Sequence, residues 1–243
     1  GDLGVFGAFV SSVSVGDMEV TNEDYPNGFG MTFSANMLSI GLSYAKPITD
    51  KFAVGANVKF VYEGIANSSA SGLAFDIGTS FITPFYDVKL SSCISNYGTK
   101  MQMDGDELIR QYDPTPNTGG DIDNVNMKLE TEQFELPLRL QIGLSKNFQI
   151  AEDYNFLIAA DAVVPNDNSQ YMNVGAELSL FDNLIALRGG YKGLFLDESQ
   201  EGLTLGFGIN YEFIKDMNIS LDYSYQKMEY LDNIQSFGVN ISF

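Results

Sequence analysis

With 243 residues, 44% of them hydrophobic and 19% charged, the chain has the composition of a folded protein and not of a disordered one. A net charge of -19 excludes nucleic acid as a partner, because a phosphate backbone calls for Lys and Arg. The lack of any His removes the commonest general base, the His-dependent triads and most zinc sites, and the single Cys excludes an internal disulfide framework.

No stretch approaches the ~18–20 consecutive apolar residues of a membrane helix, and helix-period patterns of useful length are missing. The recurring unit is an alternating or apolar-rich run. In chain order these runs cover 3–15, 35–46, 52–63, 72–84, 87–97, 135–147, 154–164, 171–181, 184–193, 203–213, 217–227 and 235–243. Most are roughly ten residues long, which at ~3.3 Å per residue and ~40° of tilt crosses a hydrocarbon layer of ~25 Å. The connections sort by length. Residues 47–51, 83–87, 148–153, 182–183 and 214–216 read as short turns, and 16–33, 64–71, 98–134, 165–170, 194–202 and 228–234 as longer links. Short and long alternate, as periplasmic turns and external loops do in outer-membrane barrels. Residues 98–134 and 194–202 are therefore expected outside the cell, and 182–183 and 214–216 in the periplasm.

The faces of the runs agree. In 135–146, Leu136, Leu138, Leu140, Ile142 and Leu144 oppose Arg139, Gln141, Gly143 and Ser145. In 203–213, Leu203, Leu205, Phe207, Ile209, Tyr211 and Phe213 oppose Thr204, Gly206, Gly208, Asn210 and Glu212. A soluble barrel would show the same alternation. Here the polar faces carry Gly, Ser, Asn and single charges in place of a Lys and Glu coat, which points to a membrane barrel with an inward polar face. The last run alternates to its end at Phe243, so the final strand is expected to close the sheet and leave no edge in lipid. The start, "GDLGVFGAFV", has no signal-peptide pattern.

Four blocks, "SASGLAFDIGT" (69–79), "KMQMDGDELIRQYDP" (100–114), "VVPNDNSQYMNVGAE" (163–177) and "LRGGYKGLFLDESQEGLTLGFGINY" (187–211), resemble the PorV/PorQ family of bacterial outer-membrane proteins. The resemblance implies a fourteen-stranded barrel similar to the FadL fatty-acid transporter. About twelve strands lie here, so the chain reads as one barrel domain (1–243), the C-terminal part of a longer protein in the bacterial outer membrane. It also implies an accessory role in type IX protein secretion. The partners would then be outer-membrane lipid, the secretion translocon and the C-terminal signal domain of cargo proteins.

Strand-borne charges fall on the inward register: Lys59, Glu63, Asp76, Lys89, Arg139, Asp161, Glu177, Arg188, Lys192, Glu212 and Asp222. Their signs nearly balance, which fits a neutralised network inside the barrel better than a selective ring. A turn centred between Asp182 and Asn183 sets Glu177 directly opposite Arg188, an expected cross-strand ion pair. Lys59 and Asp76 form a second candidate pair. The acidic excess lies in the links, above all Asp104, Asp106, Glu107, Asp113, Asp121 and Asp123, a candidate partner-binding loop. Oxygen ligands at such density could bind Ca²⁺, but no EF-hand spacing occurs there and a solvated acidic loop is the favoured reading, with no cofactor expected. Leu108, Ile109 and Tyr112 suggest that part of this loop packs over the barrel mouth. Two functions follow, a cargo-docking component of secretion and, as the alternative, a FadL-like channel for small hydrophobic molecules. The polar inward face counts against the second, and no enzyme is indicated.

Overall fold

The computed structural model describes residues 3–28, 30–112, 125–197, 199–214, 217–229 and 232–243. The long strands are β1 (Val5–Glu19), β2 (Thr32–Thr49), β3 (Phe52–Ile65), β4 (Ser68–Ile82) and β5 (Lys89–Gly98). Five short ones follow: β6 (Met101–Gln102), β7 (Asp104–Gly105), β8 (Ile109–Tyr112), β9 (Val125–Lys128) and β10 (Gln133–Phe134). Seven more long strands complete the chain: β11 (Arg139–Ala151), β12 (Tyr154–Pro165), β13 (Tyr171–Leu180), β14 (Ile185–Leu194), β15 (Glu201–Ile214), β16 (Met217–Met228) and β17 (Ile234–Ser242). A 3-10 turn at Asp106–Leu108 is the one helical element among the described residues.

The long strands hydrogen-bond in chain order, β1-β2-β3-β4-β5-β11-β12-β13-β14-β15-β16-β17, with β7 attached to β4. Pairing is antiparallel at β1–β2 and from β11 through β17. Those twelve strands correspond to the twelve runs of the sequence. The order begins at β1 and ends at β17, so the closing partner expected for the last strand is not found among the described strands. The chain divides into two units, one of Gly1–Lys46, Gly55–Ile77 and Ser95–Leu138, the other of Pro47–Val54, Gly78–Ile94 and Arg139–Phe243.

Three expectations are corrected. The link expected at 64–71 shrinks to Ala66 and Asn67, because β4 already begins at Ser68. Ala66 takes a left-handed φ of 49°, which reverses the chain within two residues. "SSAS" reads as loop from its polarity, yet Ser68 and Ala70 are buried in the strand. The alternation of short and long links therefore has an exception here. The run expected from 135 starts as β11 only at Arg139, since Pro137 lacks the donor a ladder needs. The turn expected at 148–153 narrows to Glu152 and Asp153 as β11 runs on to Ala151. Residues 215–216, within the turn expected at 214–216, lie outside the described residues.

The sheet is built inside out relative to a soluble one. Leu140, Ile142 and Leu144 on one face of β11 are 39%, 47% and 52% exposed, while Gly143 between them is buried. The same holds on β15, where Leu203, Leu205, Phe207 and Ile209 are exposed and Gly208 is buried, while Phe237, Val239 and Ile241 are exposed on β17. Among the described residues the buried apolar side chains are only Ala70, Ala74, Met101, Leu136, Val163 and Ala186. A water-soluble domain of this length buries far more of its Leu, Ile and Phe. Continuous exposed apolar strand faces are what a hydrocarbon solvent stabilises.

Candidate functional site

In the first unit, alternation on β3 sets Asn57, Lys59, Val61 and Glu63 on the face opposite Val58, Phe60 and Tyr62, which are exposed. On β4 the corresponding face carries Ala70, Gly72, Ala74 and Asp76. Asp76 is the hub. Its Oδ1 lies 2.8 Å from Lys59 Nζ and accepts the Asn96 N–H at 2.8 Å. Its Oδ2 accepts from Lys59 Nζ at 2.9 Å and from Asn57 Nδ2 at 3.2 Å. The side chains of Lys59 and Asp76 are only 13% and 11% exposed, so the charges meet with little water between them. Asn96 sits at φ 64°, a region that Asn tolerates better than most residues, and this turns its N–H toward the carboxylate. Its amide Nδ2 donates to the Pro137 carbonyl at 2.9 Å.

Residues 99–105 and 131–138 return over this same face of β4. Thr99 N–H donates to the Leu73 carbonyl at 2.9 Å, and Leu73 N–H to Thr99 Oγ1 at 3.0 Å. β6 pairs with β10, and β7 with the start of β4. Met101 and Leu136 are thereby pressed onto Ala70 and Ala74, with Val61 and Met103 beside them. The small side chains are the seat for this segment. A Cβ on Gly72 would lie 2.9 Å from Met101 Cγ and from Thr99 Oγ1, so nothing larger fits. The residues expected to pack, Leu108, Ile109 and Tyr112, do not: Ile109 and Tyr112 are exposed and Leu108 is only half-buried. The β8–β9 ribbon that carries Ile109 and Tyr112 pairs only with itself among the described strands.

Between the return segment and strands β1 to β4 lies a recess of about 360 Å³. Phe9, Val13, Met37, Val61, Leu136 and Pro137 supply apolar wall, and Ser11, Ser39, Lys59, Glu63, Asp76 and Asn96 the polar positions. Val13 and Met37 face each other in the β1–β2 register, as do Ser11 and Ser39. The inner face was expected to be mostly polar. Phe9, Val13, Met37 and Val61 lie on alternating strands and were readable by parity, whereas Leu136 belongs to a run cut short by Pro137 and was not.

The second unit carries a different inner face. Glu177 and Arg188 are register partners, as the turn arithmetic expects, and Arg188 Nε donates to Glu177 Oε2 at 2.6 Å. The guanidinium then crosses β15 and donates through Nη1 to Asp222 Oδ1 on β16. The crossing is open because Arg188 is opposite Gly206 and Asp222 opposite Gly208. A Cβ on Gly208 would lie 2.6 Å from Asp222 Oδ1 and 3.0 Å from Arg188 Nη1. Lys192 pairs with Glu201 at 2.8 Å, and Gln226 donates to the same carboxylate at 3.1 Å. Asp161 accepts from Gln141 Nε2 at 3.0 Å.

The structure thus brings together Lys59 with Asp76, and Glu177 with Arg188 and Asp222, while Glu212 is exposed near the end of β15. Arg139 is also engaged. Glu201, placed by the sequence in a link, and the neutral partners Asn57, Asn96, Gln141 and Gln226 were missed. Asn57 shares the register of Lys59 and was findable by parity, but Asn96 follows a backbone irregularity that leaves no mark in the sequence. In the acidic link, Lys128 pairs with Asp104 and its hydrogen bond holds that carboxyl below the usual carboxylate range. Glu107 accepts from Asn67 Nδ2 at 2.9 Å, and Asp106 opens the 3-10 turn. Asp113, Asp121 and Asp123 lie outside the described residues. Among the described residues, no three acidic or Cys side chains converge as metal ligands would.

Arg188→Ala is expected to lower stability by about 1–3 kcal/mol, because it strips the cation from two half-buried carboxylates. Gly208→Val should cost a similar amount by forcing the same contacts apart. Urea unfolding in lipid vesicles measures both, and an unchanged midpoint for either would show the bridge to be idle.

No protein-family model matches the chain, and neither does any curated protein. Solved structures do. The toluene transporter TodX of Pseudomonas putida superposes with a TM-score of 0.59 at 16% identity, over 97% of this chain and 76% of that one. A FadL homologue of Pseudomonas aeruginosa gives 0.51 at 12% identity, over 92% and 67%. An outer-membrane channel of Pseudomonas putida F1 gives 0.52 at 10% identity, over 98% and 94%. Likeness at such identities is likeness of fold. Together with the exposed apolar strand faces, it makes the fold an antiparallel transmembrane β-barrel of the kind built by these outer-membrane channels.

Proposed function

We propose that the protein is a channel of the bacterial outer membrane for small, largely apolar solutes, with the recess of the first unit as its solute site. One observation carries the reading. On an inner face otherwise lined by Gly, Ser, Asn and mostly paired charges, the return segment and β1 to β3 enclose an apolar wall of Phe9, Val13, Met37, Val61 and Leu136. Fixed ion pairs give no reason to build such a wall, whereas an apolar solute leaving water gains from it. The shared fold with a toluene transporter and a FadL homologue supports the same reading.

Val61→Trp, which fills the recess from β3, should lower toluene uptake by the vesicle-reconstituted protein at least tenfold. Val164→Trp, on the exposed outer face of β12, should not. Equal uptake by the two variants would remove the recess from the route. The secretion-accessory reading rests instead on the acidic link, where Asp104, Asp106 and Glu107 are exposed to a partner. Replacing 104–132 by a short Gly-Ser turn separates the two readings, because β6 and β10 remain on either side of the cut. A channel keeps its solute uptake and a docking component loses surface display of its cargo.

A further inference from the structure

The donors and acceptors of the recess are not matched. Lys59 is spent on both oxygens of Asp76, and the Asn96 amide on the Pro137 carbonyl. What remains is acceptor-rich. Glu63, half-buried on β3 two residues beyond Val61, has no hydrogen-bond or ion-pair partner among the described residues. Ser39 Oγ is buried without a partner in the same recess. Counting Lys59, Asp76 and Glu63, the recess carries one uncompensated negative charge. A half-buried carboxylate that finds no donor costs free energy once its remaining water is removed, and a pure hydrocarbon seated beside it removes that water and supplies nothing in return.

From this mismatch we infer that the recess selects solutes joining an apolar body to an amine. The inference rests on the channel reading above and narrows its substrate class. The apolar body lies on Phe9, Met37 and Leu136. The ammonium group donates to Glu63, a charge-assisted hydrogen bond. An apolar carboxylate is rejected, since it meets Glu63 as a like charge and finds Lys59 already bound. A neutral hydrocarbon enters but leaves Glu63 unanswered.

The test uses benzylamine, toluene and benzoate, three solutes of nearly equal size that differ in head group. Equilibrium binding to the protein in lipid vesicles is measured for each, corrected for partition into protein-free vesicles. Benzylamine should bind about tenfold more tightly than toluene, the gain of one charge-assisted hydrogen bond, and benzoate most weakly. In Glu63→Gln the benzylamine-to-toluene ratio should fall to about one, while Glu152→Gln, in the β11–β12 turn, keeps the ratio of the parent. Toluene binding as tightly as benzylamine in the parent, or a preference that survives Glu63→Gln, overturns the selectivity and leaves the channel standing. Binding of none of the three overturns both.

Discussion

Asp76→Ala is expected to cost about 3–5 kcal/mol. The magnitude follows from what is left behind. Lys59, 13% exposed, becomes a nearly dry ammonium without a bonded counter-charge, and stranding one member of a buried pair is far more damaging than removing both. Two further donors are orphaned with it, the Asn96 N–H and the Asn57 amide. The double variant Lys59→Met/Asp76→Leu should therefore recover most of the loss. A residue of about 1–3 kcal/mol should remain, the cost of the unpaired Asn96 N–H. The check is the urea midpoint of the parent, the single and the double variant in the same vesicles. A double variant as unstable as the single one would mean that the damage comes from lost shape and not from stranded charge.

The same carboxylate has a second consequence through Asn96. That residue is hydrogen-bonded to Asp76 by its backbone and to Pro137 by its side chain, so one residue ties the ion pair to the segment that roofs the recess. Leu136, next to Pro137, is pressed against Ala70 and Ala74. Asn96→Ala keeps the backbone donor, loses the Pro137 contact and adds the strain of a left-handed φ, about 1 kcal/mol. Its loss should accordingly be small beside that of Asp76→Ala. The ion pair supports the recess without lining up as a pore ring, and its residues serve the wall and not the solute.

Strand identity was legible because alternation is a local signal. Each of the twelve runs needs only its own residues to show two faces, and the Glu177–Arg188 register follows from the position of one turn. Even the inversion of the sheet could be read, since polar faces of Gly, Ser and Asn are unlike a surface that water must solvate. What stayed hidden depends on residues distant in sequence. Ala70, Gly72 and Ala74 look like loop or filler until Met101 and Leu136, roughly 30 and 60 residues later, are seen to need a shallow seat. The Arg188–Asp222 bridge hides for a similar reason, as it skips a strand over Gly206 and Gly208. The recess closes only when Leu136 and Pro137 are brought against β1 to β4, and so the channel is harder to read than the acidic link, whose charge is visible at once in the sequence. Charge density is easy to read and says little about what an inner wall encloses.

Leu144→Arg is expected to cost about 2–4 kcal/mol, and Ser145→Arg much less, although the two residues are neighbours. Leu144 is 52% exposed on the apolar face of β11, opposite Ala160, and stands near the middle of the strand. If that face meets hydrocarbon, an arginine there must be drawn out of its hydration shell, and the penalty is greatest at mid-membrane. Ser145 points to the other face, beside the inner recess that holds Asp161 and Glu177, where water and carboxylates can receive the guanidinium. A sheet with water on the apolar face would behave otherwise, because exchanging an exposed leucine for arginine costs within about 0.5 kcal/mol on a soluble surface. The measurement is the urea midpoint of each variant folded into vesicles. Equal midpoints for Leu144→Arg and the parent would place water, not lipid, against Leu140, Ile142 and Leu144, and the barrel would lose its membrane.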